Sequence, residues 1–223
     1  MKKICFIFAR GGSTRLKNKN IKMFNKKPLI YYSINIAKKT KLFSDIYVST
    51  DSIKILKLAK KYGAKTIKRP KKLATKDAVE FLAWKHAIEH LESKKIYFDT
   101  FVSLPCTAPL RNTQDISNCI SNLTTKNQLV MTFYYGDLNS GLKVKKSKNQ
   151  INYIFSKYNH DKSKKIAQLT TVAYVTTPKY IKKYKNLMDG ELILTKVPRI
   201  RATDINDYED FKFAEDISRR INL

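Results

Sequence analysis

Arg10, Arg15, Lys17 and Lys19 are crowded around the small-residue turn Ala9-Arg10-Gly11-Gly12-Ser13, just ahead of Asn20. Such a group suits a polyanion. Glycine lets backbone N–H groups approach an oxygen closely, and the flanking side chains neutralise its charge. The chemistry implied is a polyphosphate cradle, set against the plainer reading of a basic loop with nothing bound. Neither Gly-x-Gly-x-x-Gly nor Gly-x-x-x-x-Gly-Lys-Ser/Thr occurs here, which argues against a dinucleotide dehydrogenase and a P-loop ATPase. The opposite charge gathers near the other end, in Thr203-Asp204-Ile205-Asn206-Asp207-Tyr208-Glu209-Asp210. Carboxylates beside a polyphosphate commonly hold Mg²⁺. They also complement a helix N-terminus, with Asp207 or Thr203 as the cap, and that reading suits Glu209 and Asp210. His86-Ala87-Ile88-Glu89-His90 matches a zinc-binding spacing, but the chain has a single other histidine, so a solvated helix face is the better account.

The elements around these residues position them. Ile4 to Ala9 is a short apolar run, as expected of a strand buried on both faces in a parallel sheet. Pro28 to Lys39 reads as a helix, Asp45 to Thr50 as a strand, and Ser52 as the cap of a helix from Ile53 to Tyr62 that stops at Gly63. A strand at Ala64 to Lys68, a helix at Ala78 to Leu91, a strand at Tyr97 to Leu104 and a helix from Thr113 to Leu123 follow. Further strands fall at Leu129 to Tyr135, Thr170 to Thr176 and Glu191 to Lys196. Pro178 opens a helix, and a closing helix carries Phe211, Ala214, Ile217 and Ile221 at helical spacing. About 136–168 is lysine-rich and weakly periodic, with a short strand at Ile151 to Phe155. It reads as a β-rich arm or flap leaving the core. In an open parallel sheet the strand C-termini form the ligand crevice, and Arg10, Asp51, Arg69, Thr107 and Arg111 all lie just past strand ends.

The 223 residues suit one α/β domain with that excursion, and 43% hydrophobic content argues against disorder. Three cysteines, none in a C-x-x-C pair, read as reduced cytosolic thiols. The apolar run after Met1-Lys2-Lys3 is too short for a signal peptide, and no segment is long enough to span a bilayer. The charge of +27 comes mostly from lysine scattered through every segment rather than clustered on one element. That pattern fits solvated surfaces that attract an anionic substrate better than a nucleic-acid footprint.

Three stretches together resemble the CMP-sugar synthetases of the acylneuraminate cytidylyltransferase family: Ala9-Arg10-Gly11-Gly12-Ser13 … Lys19-Asn20, Thr107-Ala108-Pro109-Leu110-Arg111, and Asp204-Ile205-Asn206. Val48-Ser49-Thr50-Asp51 and Arg69-Pro70 … Leu73-Ala74 are similar to family signatures, in the same order along almost the whole chain. The resemblance implies a Rossmann-like nucleotide-diphospho-sugar transferase fold, with a mostly parallel central sheet and a dimerisation arm. It implies a cytoplasmic, Mg²⁺-dependent homodimer that joins CTP to a nonulosonic acid of sialic, legionaminic or pseudaminic type, releasing pyrophosphate. Arg10, Ser13 and Lys19 would hold the CTP phosphates, within a loop running from Ala9 through Gly11 and Gly12. Asn20 and Arg69 would contact the cytidine, Thr107 and Arg111 would lie on the sugar side, and Asp204, with Asn206, would hold the metal. This chain departs from the family at several points. Thr14 stands for a usual Lys, with Arg15 as its replacement. Asn206 stands for a frequent second Asp, and Asn159-His160-Asp161 for an Arg-Arg-Gln segment. Those departures leave two alternatives: transfer to another sugar or sugar phosphate, and CTP binding without turnover.

Overall fold

A computed structural model describes residues 1–137, 143–147, 150–154 and 165–221. In chain order the strands are β1 (Lys3–Phe8), β2 (Met23–Phe24), β3 (Lys27–Pro28), β4 (Asp45–Thr50), β5 (Lys65–Lys68), β6 (Thr100–Ser103), β7 (Gln128–Asp137), β8 (Lys143–Ser147), β9 (Gln150–Ile154), β10 (Lys165–Thr176) and β11 (Glu191–Lys196). The helices are α1 (Leu29–Thr40), α2 (Ile53–Lys61), α3 (Glu80–Glu92), α4 (Thr113–Ser121), α5 (Pro178–Lys183) and α6 (Tyr208–Arg220). Seven strands form one sheet in the order β11-β7-β10-β6-β1-β4-β5. β1 pairs parallel to β4 and β6, as do β4 with β5 and β7 with β11, while β10 runs antiparallel to both neighbours.

β1 lies in mid-sheet for the reason its composition suggests. Ile4 and Phe6 enter the core on one face, Cys5 and Ile7 enter it on the other, and all four are fully buried. α1, α2 and α4 cover the Cys5 face through Ile30, Ile34, Ile55, Ala59, Ile116 and Cys119. α3 and α5 cover the Phe6 face through Phe81, Trp84, Ile88, Leu91, Tyr180 and Ile181. α6 packs beside α1, where Phe211 joins Phe24, Leu29 and Ile205. The result is a three-layer α/β/α domain whose sheet is mostly parallel.

Local signals explain the element ends. Ser52 Oγ caps α2, and Gly63 takes φ +82° beyond it. Asn112 caps α4, in a reciprocal box with Asp115, and Asp207 and Asp210 make the same box on α6. Ile221 lies beyond the end of α6 and is 40% exposed, so it does not continue the core face expected of it. In the excursion, β8 and β9 form a separate antiparallel pair, while Phe155 and the Asn159-His160-Asp161 segment lie outside the described residues. The three cysteines are free and buried.

One irregularity matters for the site. β10 follows β7 in register from Lys165 to Thr170, but the next pair is Tyr174 with Met131. Thr171, Val172 and Ala173 therefore form a bulge. Such bulges re-aim side chains, here at the C-terminal edge of the parallel strands.

Candidate active site

A cleft of about 360 Å³ opens at that edge, and its walls are the segments that follow the parallel strands. Arg10, Ser13, Arg15, Lys19 and Asn20 form the wall after β1. Arg69 enters after β5 and Thr107 after β6, with Asp204 and Asn206 opposite. Nine expected site residues from four separate stretches thus meet in one cavity.

The loop after β1 is braced from several sides. Ala9 N–H donates to Ser49 O at 3.0 Å, extending the sheet by one residue, and Ala9 is fully buried. Gly11 N–H donates to Asp51 Oδ1 at 2.9 Å, so this amide already serves a carboxylate. Neither Gly11 nor Gly12 takes a positive φ. Gly11 is small because a Cβ there would lie 2.9 Å from Ser52 Cβ, whereas Gly12 faces open space. Asn20 Nδ2 donates to Arg10 O at 3.0 Å and ties the loop's two ends together.

The cations point into the cleft while held by protein oxygens. Arg10 Nη1 donates to Thr75 O at 2.7 Å, and Arg15 Nη2 to Asn206 Oδ1 at 2.8 Å. Lys19 Nζ donates to Ile205 O at 2.7 Å. Burial lowers the Lys19 pKa from the ordinary lysine value, partly offset by the nearby Asp204 carboxylate.

Asp204 sits in a chain of short polar contacts. Its Oδ1 accepts from Thr171 Oγ1 at 2.8 Å, and its Oδ2 from Asn206 Nδ2 at 2.9 Å. Thr171 Oγ1 lies 3.3 Å from Thr107 Oγ1, so the bulge links the loop after β6 to the acidic segment. Flanking contacts fix that segment. Ile205 N–H donates to Thr107 O at 2.8 Å, and its side chain is fully buried. Upstream, Arg201 Nε and Nη2 reach the two oxygens of Asp115 at 2.8 and 2.9 Å.

This donor set fits Mg²⁺ in the manner usual for that ion, one carboxylate plus substrate phosphates and water. Asp204 offers the carboxylate. Asn206 turns its carbonyl oxygen to Arg15 and its amide nitrogen to Asp204, so in this arrangement it orients Asp204 rather than facing a common ion with it. Among the described residues no three His, Cys, Asp or Glu side chains cluster as a metal site. The His86–His90 pair lies on α3, in the outer layer.

Arg111 departs from its expected place. It is 1% exposed and does not line the cleft. Its guanidinium donates to Pro105 O and to Ser33 Oγ, the latter at 3.3 Å, and burial pushes its pKa down to about 10. The segment after β6 doubles back over it. Arg111 therefore supports the Pro105 carbonyl, and with it the turn that presents Thr107, in place of a direct sugar contact.

Three cleft residues carried no distinctive signal in the sequence. Thr171 and Tyr174 reach the cavity because of the bulge, which no glycine or proline announces. Glu80 reads as an ordinary acidic first residue of a helix, yet it lines the cleft. Its Oε1 accepts from Trp84 Nε1 at 3.1 Å. Burial also pushes the thiol of Cys106, at the cleft floor, up to about 12, which keeps it protonated and unsuited to nucleophilic attack.

The comparisons with known proteins agree with this construction. The Cytidylyltransferase family model matches residues 4–197. The chain belongs to the cytidylyltransferase family. It is 44% identical over 115 residues to the post-translational flagellin modification protein B of Campylobacter coli, covering 51% of this chain and 49% of that one. It is 32% identical over 224 residues to a pseudaminic acid cytidylyltransferase of Campylobacter jejuni, covering 96% of this chain and 95% of the relative. The first match thus spans about half the relative's length, and the second nearly all of it. A CMP:2-keto-3-deoxy-manno-octonic acid synthetase solved with CTP shares the fold, with TM-score 0.75 at 13% identity over 99% of this chain and 100% of that one.

Proposed function

We propose that this cytidylyltransferase activates a nonulosonic acid, with a pseudaminic-type sugar as the first candidate, by joining it to CTP and releasing pyrophosphate. The observation that carries this reading is the meeting in one cleft of Arg10, Arg15 and Lys19 with a braced Asp204 carboxylate. The full-length likeness to a pseudaminic acid cytidylyltransferase supports the choice of sugar.

The sugar's anomeric hydroxyl attacks the α-phosphorus, the bond from phosphorus to the bridging oxygen breaks, and pyrophosphate leaves. Arg10, Arg15 and Lys19 exchange their present oxygen partners for phosphate oxygens and hold the charge that grows on the leaving group. Ser13 and Thr14 add hydroxyl donors on the same wall. Mg²⁺ held at Asp204 would neutralise phosphate charge and fix the reacting geometry. Thr107, Thr171 and Tyr174 shape the remaining space for the sugar. Asp204, or a water that the ion would hold, is the candidate acceptor for the hydroxyl proton, with Thr171 and Asn206 fixing the carboxylate's orientation.

We further infer a homodimer. Leu169, Ile200 and Phe213 are 46%, 48% and 61% exposed around a second cleft that shares Asp204 and Thr171 with the first. Apolar side chains grouped in this way suit a partner surface. Light scattering at one chain mass would remove that inference. The function is tested by pyrophosphate release from CTP and Mg²⁺ with pseudaminic, legionaminic and sialic acids, for wild type and Asp204→Ala. Release with one sugar, abolished in the variant and without metal, is expected. CTP binding with no release across the panel would favour a binding protein without turnover.

A further inference from the structure

The cleft occupies one end of the parallel strands, and the opposite end has a chemistry of its own. Beneath β6, β1, β4 and β5 lie the turns that lead into those strands, each touching the next. Lys2 N–H donates to Asp99 Oδ2 at 2.7 Å, and Ser44 N–H to Lys3 O at 2.9 Å. Lys38 Nζ donates to Tyr62 O at 3.2 Å, joining the ends of α1 and α2. This end exposes Lys2, Lys39, Lys41, Lys61, Lys94 and Lys95. The acids among these turns are already engaged: Asp45 pairs with Lys65, Glu92 pairs with Lys182, and Asp99 accepts from Lys2 N–H. Asp45 and Asp51 are the only acids before Asp77, so neither α1 nor α2 carries a negative side chain.

Helix dipoles account for part of this charge. α1 and α2 end here, and Lys38, Lys39, Lys60 and Lys61 fill their last turns. A helix C-terminus carries only about half a negative charge, so a pair of lysines overfills it. Lys2 precedes a strand and serves no helix end. Lys41 and Lys95 take φ +55° and +58°, a region that glycine enters at less cost. Both turns thus carry a cation at a cost to the backbone.

The apolar residues at this end choose the partner. Leu42 and Tyr97, 38% and 66% exposed, belong to the same turns as these lysines. Ammonium groups meet anionic headgroups, while an aliphatic chain and a tyrosine ring suit the boundary beneath them. Nucleic acid is gripped largely by arginine forks, and residues 1–2, 38–44, 60–64 and 93–99 contain no arginine. We propose that this end docks the protein on an anionic lipid bilayer. The cleft, at the other end of the strands, then faces away from the lipid and stays open to its substrates.

The experiment sediments wild type with vesicles of phosphatidylcholine alone and of phosphatidylcholine with about one-third phosphatidylglycerol. Wild type should partition onto the anionic vesicles at least about tenfold more than onto the neutral ones, and added salt should release it. Each lysine near the surface accounts for about fivefold. Lys39→Glu, Lys41→Glu and Lys61→Glu together should therefore lower the partition about a hundredfold or more. The same reversal at Lys68, Lys71 and Lys72, exposed at the cleft end of β5, should lower it by less than about fivefold. Equal loss in the two sets means that net charge alone binds lipid, and it overturns the proposal. Equal partition onto both vesicles, or onto neither, overturns it as well. Should circular dichroism show the first triple variant unfolded, Leu42→Ser with Tyr97→Ser decides. Its partition should fall roughly tenfold, and an unchanged value overturns the proposal. Tighter binding to a DNA duplex than to the anionic vesicles at the same salt, lost in the first triple variant, would assign this end to nucleic acid instead.

Discussion

Replacing Arg201 tests the claim that the acidic segment is held in place from outside the cleft. Arg201 grips Asp115 through two parallel bonds of 2.8 and 2.9 Å, and the Asp115 side chain is 4% exposed. Removing one partner of a buried pair costs about 3–5 kcal/mol, because the other charge stays buried and unpaired. Two features reduce that here. The Arg201 side chain is 26% exposed, and Asp115 keeps its bond from Asn112 N–H at the start of α4. A loss of about 2–3 kcal/mol follows, which for a chain of this size lowers Tm by roughly 4–12 °C. Arg201→Met should show that shift in a thermal melt followed by circular dichroism. Arg201→Lys should recover only part of it, since an ammonium cannot match the two-pronged geometry. The variants should also lose kcat more than CTP affinity, because Asp204 lies three residues downstream while Arg10 and Lys19 stand on another wall. A Tm within about 1 °C of wild type for Arg201→Met would refute the reasoning. So would an Arg201→Met, Asp115→Asn double variant whose loss is the simple sum of the singles.

Other expectations follow from the same geometry. Gly11→Ala sets a Cβ 2.9 Å from the Ser52 Cβ, a rigid neighbour at a helix cap, and should cost about 1–3 kcal/mol in a denaturant melt together with weaker CTP binding. Thr171→Val removes the hydroxyl between Thr107 and Asp204, and should lower kcat about tenfold or more in the pyrophosphate assay while leaving Tm within a few degrees. Lys19 has a lowered pKa and holds phosphate only while protonated. The alkaline limb of kcat/KM should therefore fall at lower pH than for an ordinary lysine, and Lys19→Arg should move that limb upward.

Much of the fold was legible because it is written in local patterns. The buried run of β1, the bounds of β4 and β11, the serine cap of α2 and the stop at Gly63 each rest on residues a few positions apart. The cation group and the acidic segment were legible too, since both stand out by charge and spacing. The rule that strand ends make the crevice of a parallel sheet placed Arg10, Arg69 and Thr107 together, while the resemblance alone placed Asp204 beside them. What remained hidden depends on contacts between distant residues. Arg111 looked like one more cation at a strand end, and only the fold of the loop over it makes it a buried support for Pro105. Gly11 looked like a donor for phosphate, and only the adjacent strand end brings Asp51 to take its amide.

The sequence by itself determined which strands are buried, where helices begin, and where the cation group and the acidic segment lie along the chain, because periodicity, capping and charge act over a few residues. The tertiary structure alone decided that β10 bulges at Thr171, that Glu80 turns into the cleft beside an unpaired Arg69, and that Arg201 anchors the Asp204 segment through Asp115. Those outcomes rest on register and on side chains up to 86 positions apart, and their energies exist only once the sheet has brought the partners together.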